Sequence, residues 1–236
     1  MTAKSKYLQK SANPIRNFVH FIKRNLVLKL NDLGDSRLGI DAGGQVEINE
    51  LDSRGPNAKY SNVYLGTPYT TMNIIFRILN IDHQKYDFVD FGSGKGRVIC
   101  KAAEYPFKNI YGVELSQALH EISSANIAKT RARFSDRIIT VNDDVIGFNL
   151  PSNPLVLFNF SSFNDVVLEK LIKKIDQDIK SNKRDTYFVY IRPKFEKLLL
   201  ETSDFEVMPL SKFQKVLIRI LSPWPIAIYK MRHNPA

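Results

Sequence analysis

A carboxylate precedes a glycine-rich turn in the stretch "FVDFGSGKGR", residues 88–97. The acid is Asp90, and the turn contains Gly92, Ser93, Gly94 and Gly96. Glycine allows the backbone to approach a ligand closely. An acid in the same loop would repel a pyrophosphate but would attract a cationic group such as an ammonium. The stretch therefore predicts a loop that holds a ligand carrying a positive charge.

Further acids follow the next two apolar runs of the chain. Glu114 ends "NIYGVEL", and Asp143 and Asp144 follow "RIITVN". A carboxylate in the first position can accept hydrogen bonds from both hydroxyls of a ribose, and one in the second can accept from an adenine amino group. Each acid alone is equally compatible with a helix cap or a solvated loop end. The series of three predicts a nucleoside-containing ligand.

The glycine spacing excludes or disfavours two nucleotide-binding loops. "GSGKGR" does not fit the spacing of a P-loop, and its third glycine, Gly96, comes one residue too early for a dinucleotide fingerprint. Arg97 stands where that glycine should be. NAD is therefore a disfavoured ligand, and an NAD-linked oxidoreductase is a weaker alternative.

Five short β-branched or aromatic runs must position these residues. They are residues 87–92, 109–115, 137–143, 155–160 and 186–191, and amphipathic helical stretches separate them. The clearest helical stripe comprises Leu168, Leu171, Ile172, Ile175 and Ile179. Strands that alternate with helices predict a Rossmann-like, doubly wound α/β fold with a mainly parallel sheet.

Three flanking features complete the predicted fold. "GTPYTTMNIIFRIL" predicts a helix before the first strand, with Thr67 as its N-cap. "FEVMPL" and "PIAIYKM" predict a final pair of strands that closes the sheet antiparallel. Residues 1–45 predict a basic helical appendage and a loop, and residues 46–236 the main domain. The appendage helix is predicted from an apolar stripe of Ile15, Phe18, Val19, Ile22 and Leu26.

Composition and charge limit the classes of function. The formal net charge is +10, and residues 1–38 hold eight Lys or Arg against two acids, so an acidic partner could bind there. The single cysteine, Cys100, predicts a buried side chain, and the scattered histidines predict no metal site. No apolar run reaches the roughly 18 residues of a membrane span. We expect a cytoplasmic protein, with organelle targeting by the acid-free N-terminus as the alternative.

Four motifs together resemble a known family. "FVDFGSGKGR", "YGVELS", "VNDDVIGF" and "LVLFNFSSF" are similar to motifs one to four of the class I S-adenosylmethionine-dependent methyltransferases, in order and at normal spacing. The D-x-G-S-G-x-G-R form resembles most closely the subset that includes Dot1-like and small protein-lysine methyltransferases. The resemblance covers roughly residues 60–192.

The resemblance implies a role for each matching residue. Gly92, Ser93, Gly94 and Gly96 would wrap the methionine part of S-adenosylmethionine, and Asp90 would support the loop or the ammonium. Glu114 would bind the ribose, Asp144 (or else Asp143) would bind adenine, and Thr67 and Tyr69 would cover the cofactor. Asn159 would lie beside the methyl group as the catalytic residue. Independently of the resemblance, Lys95 and Arg97 lie in the first turn of a predicted helix, where the positive end of the helix dipole disfavours cations. They are therefore expected to pair with nearby acids, or one of them to meet the cofactor carboxylate.

The implied function is methyl transfer to a nucleophile by in-line displacement. The residues after Asn159 are Phe160, Ser161 and Ser162, which departs from the [D/N]-P-P-[Y/F] of enzymes that methylate nucleic-acid bases or glutamine. An amine, such as a protein lysine, is the expected acceptor, with a small amine or RNA left open. The alternative is a non-catalytic cofactor- or nucleic-acid-binding protein. We expect the appendage to contribute to the acceptor site, as a lid or as a docking surface for an acidic partner, with a membrane-surface helix as the alternative. We also expect a chain without residues 1–38 to keep its cofactor affinity.

Overall fold

A seven-stranded sheet forms the centre of the molecule. The computed structural model describes residues 26–27, 29–46, 57–62, 64–131 and 136–232. The sheet strands are β3 (Asp87–Phe91), β4 (Ile110–Glu114), β5 (Ile138–Asn142), β6 (Leu155–Asn159), β7 (Thr186–Ile191), β8 (Phe205–Val207) and β9 (Ile226–Met231). Their order is β5-β4-β3-β6-β7-β9-β8. β3 to β7 pair in parallel, and β9 pairs antiparallel with both β7 and β8.

Helices cover both faces of this sheet. They are α1 (helical at 26–27 and 29–38), α2 (Tyr69–Leu79), α3 (Arg97–Ala102), α4 (Gln117–Arg131), α5 (Asp165–Ser181), α6 (Glu196–Thr202) and α7 (Lys212–Leu221). Apolar residues of α2, α3 and α7 form one core cluster, and those of α5 and α6 form the other. All five residues of β3 are buried, as a parallel strand covered on both faces requires. The predicted Rossmann-like α/β fold is confirmed.

The strand order places the glycine turn at the point where the sheet changes direction. From β3 the chain builds outward through β4 to β5, and it then returns to the other side of β3 at β6. Ligands of doubly wound folds bind outside the carboxyl ends of the strands at such a switch point. The turn that follows Phe91 is therefore in the position expected of a ligand-binding loop.

Several local predictions are confirmed. The helical stripe of α5 is buried, both C-terminal strands join the sheet antiparallel, and Cys100 is fully buried, which raises the pKa of its thiol to about 11. The predicted cap of α2 is wrong by one residue. Pro68, not Thr67, flanks the first helical residue, and no side chain caps this helix.

The sequence prediction missed α6, α7 and a small two-stranded sheet. α7 lies between the last two strands, and its N-terminus carries a capping box in which Ser211 and Gln214 bond to each other's backbone N–H. A two-residue strand, β1 (Gln45–Val46), begins at the end of the predicted loop of the appendage and pairs with β2 (Tyr64–Leu65), a segment for which the sequence predicted no element. Among the helices that the structure describes, none has the length and apolar character needed to cross a membrane.

The described part of the N-terminal appendage packs on the main domain. Leu38, Ile40 and Ala42 are buried in the same core cluster as α2 and α3. Asp41 and Asn126 of α4 exchange two hydrogen bonds of 2.9 Å. Of the predicted appendage stripe (Ile15, Phe18, Val19, Ile22 and Leu26), only Leu26 belongs to the described residues, and it is exposed.

Candidate active site

A cleft opens at the carboxyl ends of β3, β4 and β6. Its space, including the mouth, is about 870 Å³, which is within the usual size of small-molecule sites. The lining divides into a polar side from the strand ends and an apolar side from β6 and the loop after it. The predicted site residues that line it are Thr67, Asp90, Gly92, Ser93, Glu114 and Asp144. Tyr69, Gly94, Gly96, Asp143 and Asn159 lie outside this lining.

Glu114 connects the end of β4 to the glycine turn. Its two carboxylate oxygens accept hydrogen bonds from the backbone N–H of Gly94 at 2.8 Å and of Ser116 at 2.9 Å. The side chain is buried and also lines the cleft. A carboxylate oxygen can accept more than one hydrogen bond. Glu114 can therefore hold the loop in place and still present an acceptor to a ligand hydroxyl.

Asp90 is a buried acid of the cleft whose pKa is shifted by its surroundings. It is almost fully buried at the end of β3. Burial, together with the nearby charge of Glu114, raises the pKa of the Asp90 carboxyl well above its ordinary value. A cation placed in the cleft would offset both effects. The carboxyl is thus better suited to a cationic ligand than to an empty cleft.

The two acids after β5 have different surroundings. Asp144 lines the cleft, and its carboxylate accepts from Asn57 Nδ2 at 2.7 Å and from the backbone N–H of Ile146 at 3.0 Å. Asp143 is exposed, and its carboxylate accepts from the backbone N–H of Asp144 at 2.7 Å. The geometry therefore favours Asp144 as the acid that faces a ligand.

The glycine turn is tightly enclosed. Gly92, Gly94 and Gly96 have φ values of 79°, 55° and 83°, a region that other residues rarely adopt. A Cβ on Gly94 would collide with the ring of Tyr64, and one on Gly92 would collide with Ser162. Tyr64 and Ser162 both line the cleft. Glycine at these positions thus allows the cleft walls to close on the turn.

The N-terminal segment holds the turn through a buried ion pair. Arg97 Nε and Nη2 donate to the two Asp35 oxygens at 2.9 and 2.5 Å, and the side chains are only 4% and 10% exposed. Tyr69 Oη donates to the same carboxylate at 2.8 Å. Burial and this carboxylate raise the pKa of Tyr69, so its hydroxyl remains a donor. Arg97 lines the cleft, so α1 contributes to the site through it.

Lys95 also contacts the N-terminal segment. Its Nζ donates to the Gly43 carbonyl at 2.7 Å and lies 5.6 Å from the centre of the Tyr64 ring. The hydroxyl of Tyr64 donates to the Ala42 carbonyl at 2.9 Å. Arg97 pairs with an acid as predicted, whereas Lys95 binds a backbone carbonyl instead.

Asn159 lies at the end of β6 between two residues that line the cleft. Those neighbours are Phe158 and Phe160. Asn159 Nδ2 donates to the Phe91 carbonyl at 3.0 Å. Its Oδ1 is buried, and no described residue donates to it. An unsatisfied buried acceptor is costly, so this oxygen could accept a hydrogen bond from a bound group that reaches it.

Sequence reasoning did not find three residues of the site: Asn57, Asn62 and Asp35. Asn57 and Asn62 line the cleft, and Asn62 Nδ2 donates to the Ser161 carbonyl at 2.6 Å. They belong to the segment before β2, which no motif marks. Asp35 is 62 positions from Arg97. The only sequence signal for a partner of Arg97 was its position at the start of α3, where the positive end of the helix dipole disfavours a cation.

Comparisons with known proteins agree with this geometry. The family model described as "Histone methylation protein DOT1" matches residues 55–185, more than half of the chain. A S-adenosylmethionine-dependent O-methyltransferase from Thermotoga maritima is similar in structure, with 14% identity and a TM-score of 0.51 over 73% of this chain and 69% of that one. The protein yhhF from Escherichia coli, named as a methyltransferase, has 14% identity and a TM-score of 0.53 over 81% and 100%. These two likenesses show the fold. No curated protein sequence matches the chain.

The family match includes the glycine turn and the acids that line the cleft beside it. It spans Asp90, Glu114, Asp144 and Asn159 as well as α2 and the segment before it. The chain therefore belongs to the DOT1 family, a family of class I S-adenosylmethionine-dependent methyltransferases.

Proposed function

We propose that the chain transfers a methyl group from S-adenosylmethionine to an amine, with a protein lysine side chain as the preferred acceptor. The observation that carries this proposal is that Asp90, Glu114 and Asp144, from three successive strand ends, line one cleft together with the glycine turn. S-adenosylmethionine supplies a methyl group that its sulfonium already activates. The task of the protein is then to align the acceptor and to exclude water.

The residues of the cleft fit this cofactor. Ser93 lines the cleft, and its buried Oγ has no hydrogen-bond partner among the described residues. It is suited to a polar group of the methionine part, and the buried Asp90 is suited to the ammonium. Glu114 would accept from the ribose hydroxyls, and Asp144 from the adenine amino group.

The apolar side of the cleft supports an amine acceptor. Phe158, Phe160 and Phe163 line it, and an amine among such side chains favours its neutral, nucleophilic form because burial penalises the charge. The unsatisfied Oδ1 of Asn159 would accept from an amine N–H and so orient the lone pair. Asn159 is the residue that we assign to catalysis.

Transfer of a tritiated methyl group into fractionated lysate tests the acceptor class. We expect the label to enter protein, to survive nuclease treatment and to be recovered as methyl-lysine after acid hydrolysis. Label confined to RNA or small molecules would refute the proposed acceptor. Cofactor binding without any transfer would favour the alternative, a non-catalytic binding protein.

Replacing Asn159 tests its role separately. Because its Oδ1 would act on the acceptor rather than on the cofactor, we expect Asn159→Ala to transfer methyl about tenfold to a thousandfold more slowly with nearly unchanged cofactor affinity. Asn109→Ala is the matched control, since Asn109 Nδ2 also donates a structural bond, to Asp87 at 2.8 Å, away from the cleft. Equal losses of affinity and rate in Asn159→Ala would place this residue in the cofactor pocket instead.

A further inference from the structure

An apolar stripe on α7 is left exposed to solvent. The stripe comprises Phe213, Val216 and Ile220, which are 70%, 53% and 60% exposed. Their i, i+3 and i+7 spacing places them on one side of the helix. Single exposed apolar residues are ordinary, but a row of three on one helix indicates a surface that meets an apolar partner.

This stripe is separate from the side of α7 that packs on the domain. Ile218 is buried in the core, and Leu217 and Leu221 pack against it. The apolar residues of α7 therefore cover more of the helix surface than the side that packs on the core. The packed side already attaches α7 to the core, so the stripe can make a different contact.

The charges of α7 identify the kind of partner. The helix contains Lys212, Lys215 and Arg219 and no acid, and all three cations are exposed. Their helical spacing places them beside the stripe, on the side away from the packed residues. A helix with a row of cations next to exposed Phe, Val and Ile has the pattern of a segment that lies in the interface of an anionic membrane.

A second exposed apolar row lies on α1. It comprises Leu26, Leu30 and Leu33, which are 57%, 37% and 67% exposed. Both helices meet the start of α2. Asn31 of α1 accepts from the Tyr69 N–H at 3.2 Å, and Thr70 Oγ1 donates to the carbonyl of Leu221, the last residue of α7, at 2.7 Å. The two rows therefore belong to neighbouring elements at one end of α2.

We infer that α7, with α1 beside it, docks the protein on an anionic lipid surface. The stripe enters the boundary between headgroups and acyl chains, and Lys212, Lys215 and Arg219 contact the anionic headgroups. Cations alone would fit the phosphates of a nucleic acid equally well, and the apolar row beside them favours a lipid surface. Thr67, which lines the cleft, precedes α2 by two residues, so docking would bring this part of the cleft lining near the membrane. The inference does not depend on the methyl acceptor.

Dye labelling of the full-length chain tests the inference directly. Cys100 is fully buried, so a polarity-sensitive dye will label a cysteine introduced at the surface by Phe213→Cys. Val207→Cys is the matched control, because Val207 is 50% exposed on β8. With vesicles of phosphatidylcholine and about one-third phosphatidylglycerol, we expect the emission at position 213 to shift to the blue and that at position 207 to stay unchanged.

Vesicle sedimentation gives the second measurement. We expect the unmodified chain to sediment with the anionic vesicles and not with pure phosphatidylcholine. The double change Lys212→Glu/Lys215→Glu should weaken this binding by at least about tenfold. Three results would overturn the inference. They are equal binding to both kinds of vesicle, no binding to either kind, and a blue shift at position 213 that appears without vesicles as the protein concentration rises. The last result would assign the stripe to a second copy of the chain.

Discussion

At the scale of one residue, the buried Asp90 carboxyl lowers the stability of the free protein when it ionises and favours the binding of a cationic ligand. The carboxyl is buried at a strand end, and its pKa is raised by burial and by Glu114. A raised folded-state pKa means that this acid contributes stability below its unfolded pKa, and that the contribution is lost as pH rises through the folded value. The free protein therefore becomes less stable over that range. A cationic ligand reverses the preference because it stabilises the ionised form.

We predict opposite effects of Asp90→Asn on stability and on cofactor binding. The neutral amide removes the penalty of ionisation, so the free protein should melt about 2–4 °C higher at neutral pH, the shift that 1 kcal/mol gives in a chain of this length. Its affinity for S-adenosylhomocysteine should fall. We expect the unmodified chain to lose affinity on acidification, as Asp90 is protonated, and the variant not to show this loss. Melting curves and calorimetric titrations between about pH 5 and 8 measure both. An unchanged pH dependence in the variant would show that Asp90 does not face the ammonium.

Gly94 is predicted to act through Tyr64. A Cβ at this position would displace the Tyr64 ring from the cleft wall, so Gly94→Ala should weaken binding of S-adenosylhomocysteine by at least tenfold, which is about 1.4 kcal/mol. Gly39→Ala is the control for backbone strain alone, because Gly39 has a φ of 71° and nothing within 4 Å of a Cβ. The prediction fails if both variants bind like the unmodified chain.

At the scale of elements, α1 and the loop that follows it are part of the site rather than an accessory. Asp35 neutralises Arg97, and the carbonyls of Ala42 and Gly43 fix Tyr64 and Lys95. Because of these contacts we now expect a chain without residues 1–38 to lose cofactor affinity, in contrast to the expectation from sequence. The division into an appendage at 1–45 and a domain at 46–236 remains a proposal.

Removal of Asp35 tests this coupling. Asp35→Ala leaves a buried guanidinium unpaired, so the free energy of unfolding should fall by about 3 kcal/mol, and cofactor binding should weaken because Arg97 lines the cleft. Asp32→Ala, which removes an exposed acid one turn earlier on the same helix, should change neither. Urea denaturation and calorimetry provide both readings. The same small effect in the two variants would contradict the role given to the ion pair.

At the scale of the whole molecule, periodicity and motif order were enough to predict the sheet. Each run from β3 to β7 is a short apolar segment between turn residues, and the acids at the strand ends mark one edge of a parallel sheet. α7 was missed because it lies between two predicted strands, although Ser211 and Gln214 carry its capping signal. Local signals of this kind are visible in the sequence when they are sought.

Contacts between distant segments could not be predicted in the same way. The pairing of Asp35 with Arg97 and of Asn57 with Asp144 joins residues 62 and 87 positions apart. Neither pair has a fixed spacing, since the loops between them set the geometry. The part of the site made by strand ends was therefore accessible from sequence, and the part made by the segment before β2 was not.

Calorimetric titration with S-adenosylhomocysteine tests the central claim, that the three acids and the glycine turn form one cofactor site. The full-length chain should bind this ligand and should not bind NAD. Asp144→Ala should weaken binding by at least about tenfold, since the adenine amino group loses its acceptor, whereas Asp143→Ala, at the exposed neighbour, should leave it unchanged. Failure of the unmodified chain to bind S-adenosylhomocysteine, or equal losses in the two variants, would contradict the account.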